Sequence, residues 1–72
     1  MTREVAIRGD TIRLGQLLKL AGLVASGSEA KLVLESEQVS VNGERDTRRG
    51  RKLHPGDVVR VGEQELRLRA ST

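Results

Sequence analysis

The dipeptide Asn42-Gly43 is the firmest constraint in this sequence. Val39-Ser40-Val41 precedes it with both valines on one face of a strand, and both turn residues accept the positive φ that a type I′ turn requires. The chain has to reverse there into a tight hairpin. Beyond the turn, charge is unevenly spread. Arg45 to Lys52 holds five cations and one anion, a local charge of +4 in a chain of formal net charge +3, so all other residues together sum to −1. Positive charge concentrated beside a rigid turn favours a polyanion, most simply nucleic acid. The plainer alternative is a solvated loop.

Around the hairpin the chain divides into short elements. Glu4 to Arg8 alternates, with Val5 and Ile7 on one face, and Gly9-Asp10-Thr11 is expected to end that strand and cap a helix. From Ile12 to Ala21 the residues Leu14, Leu17, Leu18 and Ala21 follow helical spacing, leaving Arg13, Gln16 and Lys19 outward, and Gly22 stops the helix. Ser26 and Glu29 form a capping box for a second helix, with Ala30, Val33 and Leu34 as its buried stripe and an end near Ser36. Only about four residues separate the helices, so they must pack together with their polar faces on a common surface. Pro55-Gly56 and Gly62-Glu63 are further turns, around Val59 and Val61 and before Leu66 and Leu68; Arg60, Arg67 and Arg69 alternate outward. With no room for crossover helices between the later strands, the expectation is an α+β domain: two short packed helices followed by a small, mainly antiparallel sheet. Ala70 to Thr72 should be a frayed end.

Twenty of the 72 residues are Ile, Leu or Val and none is Phe, Tyr or Trp, so the core must be aliphatic and, in a domain this small, only marginally stable. The same absence removes base stacking on aromatic rings, the main device of single-strand binders. Without cysteine there is no disulfide or thiolate chemistry. No apolar stretch approaches the roughly 18 residues of a membrane span, and the start lacks a signal core, so a soluble cytoplasmic protein is expected, without a membrane partner. Catalysis lacks material. His54 is the only imidazole, Ser26, Ser28 and Thr11 suit caps, the stretch from Gly50 to Leu53 lacks P-loop spacing, and the acidic residues have no Cys or His support for a metal. Neither an enzyme, a small-molecule substrate, a cofactor nor a metal is expected.

The run Arg13-Leu14, Leu18, Gly22-Leu23, Ser26, Ala30, then Val39 to Gly43 and Gly56-Asp57, resembles the RNA-binding domain named after small-subunit ribosomal protein S-four, whose helix pair and hairpin form the alpha-L motif. The likeness covers about residues 12–61, and residues 26–31 and 48–53 look closer still to the short stand-alone bacterial YbcJ-like branch. It implies one RNA-binding domain over residues 1–72, acting as a monomer on structured RNA, ribosomal or transfer RNA, without catalysis. Two positions depart from the broader pattern. Gly15 stands where many members carry an acidic residue, and Gly27 where many carry a basic one.

Without stacking, recognition has to rest on phosphates, ribose hydroxyls and shape. Arg48, Arg49, Arg51 and Lys52 are the first choice as phosphate ligands, with Arg45 opening the segment and Gly50 allowing close approach. Arg13, Lys19 and Lys31, outward on the helices, are expected beside the same groove or else simply solvated. Gly27 either exposes helix N–H groups to a phosphate or only relieves crowding at the cap. A reading from another class stays open: a protein-interaction module that docks the basic patch on an acidic partner.

Overall fold

Alternating apolar and polar residues build the largest element, a five-stranded sheet. The computed structural model describes residues 2–36 and 39–71, so the expectation for Thr72 lies outside the described residues. In chain order the elements are β1 (Thr2–Ile7), β2 (Ile12–Arg13), α1 (Leu14–Leu20), α2 (Gly27–Ser36), β3 (Val39–Val41), β4 (Glu44–Arg45), β5 (Lys52–Leu53), β6 (Val58–Val61) and β7 (Gln64–Ala70). The sheet is ordered β1-β7-β6-β3-β4, while β2 and β5 pair in a separate two-stranded ladder. The class is α+β with a mainly antiparallel sheet, as expected. One pairing differs: β1 runs parallel to β7, Val5 opposite Leu68. Parallel neighbours need a long return path, and here everything between the first and last strands supplies it. Ala70 is accordingly the last residue of β7 instead of a frayed end, and the Ser71 N–H donates to the Ile7 carbonyl at 3.1 Å.

The first helix starts later than its spacing suggests. Ile12 and Arg13, expected inside the helix, form β2 and pair with Leu53 and Lys52. Helix α1 begins only at Leu14, because the Leu14 and Gly15 N–H groups find the carbonyls of Arg51 and Arg49, both at 2.9 Å, and the Arg13 N–H donates to Gln16 Oε1 at 3.2 Å. These contacts replace the cap expected from Thr11. The exit follows the sequence: Leu23 N–H reaches the Leu18 carbonyl and Gly22 N–H that of Lys19, both at 3.0 Å, a Schellman closure. At α2 the Glu29 N–H donates to Ser26 Oγ at 3.2 Å, and the Glu29 carboxylate accepts from Ala25 N–H at 3.0 Å, one residue before the cap.

Val5, Ile7, Val39, Val41, Val59, Val61, Leu66 and Leu68 are buried from the sheet, with Leu14, Leu17 and Leu18 of α1, Ala30 and Leu34 of α2 and Leu53 of β5 in the same cluster. The core is aliphatic throughout. Across the sheet, Arg60 stands opposite Glu65 and Arg67 opposite Glu4, so the strand arginines are solvent-facing charges balanced by carboxylates. No described helix is long and apolar enough to cross a membrane.

The turn that aims the basic segment is clamped. Asn42 and Gly43 have φ of 52° and 87°, as a type I′ turn requires, and Val41 pairs with Glu44. Asn42 does more than tolerate that backbone. Its Nδ2 donates to Asp57 Oδ1 at 3.1 Å and its Oδ1 accepts from Val58 N–H at 2.9 Å, while Asp57 Oδ2 accepts from His54 N–H at 2.8 Å. Burial alone would raise the Asp57 carboxyl, but these hydrogen bonds, His54 N–H first, outweigh it and hold the group below its ordinary range. The hairpin and the Pro55-Gly56 turn are thereby fixed to one another.

Candidate nucleic-acid interface

The basic segment is organised by its single anion. Asp46 follows β4, its N–H donates to the Val39 carbonyl at 3.0 Å, and its side chain is only 4% exposed. Oδ1 accepts from Arg48 N–H at 2.8 Å and Arg48 Nε at 3.2 Å; Oδ2 accepts from Arg48 Nη2 at 3.0 Å and Arg51 Nη1 at 2.9 Å. The Arg48 guanidinium, helped by Arg51 and opposed by burial, holds the Asp46 carboxyl far below the usual carboxylate range. Two of the four favoured phosphate ligands are therefore anchored to a carboxylate. Each guanidinium carries five N–H donors, so both keep donors for an anion, now from fixed positions.

Arg49 is held differently. Its carbonyl accepts the Gly15 N–H at the start of α1, and its Nη1 makes a long 3.4 Å hydrogen bond to the Gly27 carbonyl at the start of α2. The side chain thus lies across the starts of both helices. A Cβ on Gly15 would stand 2.6 Å from Arg49 Cγ, closer than real Cβ contacts come, whereas a Cβ on Gly27 would meet Arg49 Nη1 at an ordinary 3.5 Å. Gly15 is what lets Arg49 lie there. The two departures from the family pattern meet at one side chain.

Arg13, Gly15, Gln16, Lys19, Gly27, Arg49 and Gly50 line an open cleft of about 330 Å³. It gathers four of the sequence-derived candidates, Arg13, Lys19, Gly27 and Arg49, with no carboxylate in its wall. Lys52 lies just outside it, directly opposite Arg13 in the β2–β5 ladder, where side chains share a face. Among the described residues, no ion pair involves Arg13, Lys19, Arg49 or Lys52. Like charges opposed across a ladder destabilise it, and a bound anion would remove that penalty. Lys31 on α2 and Arg45 on edge strand β4 are exposed and do not line the cleft. Sequence reasoning missed Asp46, Gly15 and Gln16 as parts of the site. The signals were present in a lone acid among five cations and in an unusual glycine.

His54 is exposed, its Nδ1 3.8 Å from Asp57 Oδ2, and among the described residues no three His, Asp or Glu side chains converge as a metal site would need.

A family model described as S4 domain matches residues 5–69. The probable ribosome maturation protein RlbA of Bacillus subtilis is 49% identical over 61 residues, covering 85% of this chain and 86% of that protein. The tyrosine–tRNA ligases of Burkholderia lata and Bordetella pertussis are each 41% identical over 64 residues, 88% of this chain but only 16% of either ligase. The likeness to the ligases is therefore to one domain of a much longer protein.

Proposed function

Since the chain belongs to the S4 domain family, a family of RNA-binding domains, we propose that it is a non-catalytic module that binds structured RNA through the cleft between the starts of its two helices. The observation that carries this reading is the cluster of Arg13, Lys19 and Arg49 around one cleft without a carboxylate, flanked by Lys52 and by the anchored pair Arg48 and Arg51. Phosphates enter the cleft and meet guanidinium forks and an ammonium; the groups fixed on Asp46 hold the neighbouring backbone. Stacking of bases on aromatic rings plays no part in the grip, because the chain has no such ring. Ribosomal RNA is the favoured target, since a relative matched over most of both chains is named for ribosome maturation; transfer RNA comes second, through the domain shared with the ligases.

Titration of a structured RNA fragment at increasing salt tests the reading. Neutralising about four phosphates gives a log–log slope near −3 to −4, a loss on the order of 100-fold between 50 and 200 mM salt. A matched DNA hairpin should bind more weakly, lacking 2′-hydroxyls and A-form shape. A flat salt response with no preference for RNA would contradict the proposal and favour a packed interface with an acidic protein.

A further inference from the structure

A second groove lies on the other flank of α1, about 750 Å³ in volume, and shares Gln16 and Lys19 with the phosphate cleft. The two depressions are thus neighbours, with Gln16 and Lys19 common to both walls. The chemistry changes from one to the other. Where the first wall is cationic with three glycines, the second combines the half-buried Ile12 and the 54% exposed Leu20 with the Thr11 hydroxyl and the Arg8 guanidinium. Leu20 needs an explanation, because the spacing of α1 buries Leu14, Leu17 and Leu18 completely and leaves this leucine in water. The volume lies within the range of about 300–1,000 Å³ of small-ligand sites, which are typically apolar with a few placed polar groups.

We propose that this groove holds one unpaired nucleotide of the bound RNA, its base against Leu20 and Ile12 and its phosphate between Arg8 and Lys19. The inference rests on the RNA-binding reading and adds a base-dependent site to it. Charge selects the occupant: Arg8 and Lys19 line the groove together with Ile12 and Leu20, with no carboxylate among the lining residues, which suits an anion carrying a flat apolar body. Contact is with aliphatic side chains, so it is insensitive to base identity, and the Thr11 hydroxyl and the Gln16 amide NH₂ supply donors to the base edge or ribose. Gln16 Oε1 is already occupied by the Arg13 N–H, which fixes the amide between the two grooves.

The experiment compares three RNA hairpins that differ at one point: fully paired, with a single-nucleotide bulge, and with the same bulge made abasic. The wild-type chain should bind the bulged hairpin about tenfold more tightly than the paired one, the gain expected from partly burying one apolar surface. The abasic bulge should lose that gain. Leu20→Ser, at an exposed position that leaves the core intact, should bring the bulged hairpin down to the paired level with binding of the paired hairpin unchanged. Arg8→Ala provides a second variant with the same expected pattern. Equal affinity for bulged and abasic RNA, or a Leu20→Ser loss shared by all three hairpins, overturns the site while leaving the phosphate cleft in place. If none of the hairpins binds, the RNA reading falls with it. Full RNA discrimination by Leu20→Ser, with loss of a co-purifying protein, would assign the groove to that protein and also overturn the proposal.

Discussion

The two ladders of this domain treat charge in opposite ways. In the five-stranded sheet, cations stand opposite carboxylates, Arg60 against Glu65 and Arg67 against Glu4, and Arg69 comes within 3.9 Å of Glu4. In the β2–β5 ladder a cation stands opposite a cation, Arg13 against Lys52, next to a cleft walled by Lys19 and Arg49. Opposed like charges weaken a strand pair, so the second arrangement does nothing for the fold. Composition merges two settings of arginine: strand arginines stand beside carboxylates, whereas among the described residues the cleft arginines Arg13 and Arg49 have no ion-pair partner.

Neutralising each set breaks the comparison most directly. Arg13→Ala, Arg49→Ala and Lys52→Ala together should weaken RNA binding on the order of 100-fold, with three charged hydrogen-bonding groups lost. The salt slope should flatten by about 2 to 3. Arg60→Ala, Arg67→Ala and Arg69→Ala remove the same formal charge, yet should leave affinity within about threefold, because solvent screens distant charges. Filter binding or fluorescence anisotropy at two salt concentrations checks both. Equal losses from the two triples would mean that only net charge matters.

Asp46 sharpens the contrast within the cleft side itself. Asp46→Asn raises the formal net charge by one, and simple electrostatics then expects tighter RNA binding. The geometry expects the reverse. Without the carboxylate, Arg48 and Arg51 lose their anchor, and affinity should fall about tenfold, the worth of one preorganised charged contact. Stability should fall by about 2 kcal/mol, since hydrogen bonds to a charged, buried group are replaced by weaker ones. The pH dependence has a defined sign. The Asp46 and Asp57 carboxyls lie below their ordinary values in the folded chain, so each stabilises the fold above about pH 4 and loses that contribution as pH falls through its depressed value. Melting curves of Asp46→Asn between pH 2 and pH 7 should therefore vary less with pH than those of the parent, by the share that Asp46 supplies.

Much of this arrangement is legible in the residues, and the remainder is hidden for physical reasons. Asn42-Gly43, the Ser26 cap, the buried stripe of α1 and the alternation of Val59 to Leu68 are local signals, and the structure matches each. The β2 strand is too short for any periodicity, and Ile12-Arg13 continues helical spacing equally well. Only the distant carbonyls of Arg49 and Arg51 decide where α1 begins. Alternation also says which face of β1 is buried without saying which strand it joins or in what direction. Counting Asp46 as one negative charge in a positive run hid its role, because a sum of charges carries no geometry.

The smallest expected effect isolates Arg49 with no charge changed. Gly15→Ala places a methyl group where it would stand 2.6 Å from Arg49 Cγ, and the Arg49 carbonyl, bound to the residue-15 N–H, prevents the loop from backing away. The Arg49 side chain must therefore change rotamer and leave the cleft wall. Helix propensity works the other way: alanine in α1 is worth up to about 1 kcal/mol over glycine, so stability should hold or rise slightly. RNA affinity should fall about three- to fivefold, part of the worth of one charged contact. Gly27→Ala is the control, because its Cβ meets Arg49 Nη1 at 3.5 Å, an ordinary contact, and should change affinity by less than about twofold. Both glycines lie in the same cleft, against different parts of the same arginine, Cγ for Gly15 and Nη1 for Gly27, so a difference between the two variants reports on that side chain. If Gly15→Ala binds as tightly as the parent, Arg49 reaches the RNA without crossing the helix starts, and its 3.4 Å bond to Gly27 plays no part in recognition.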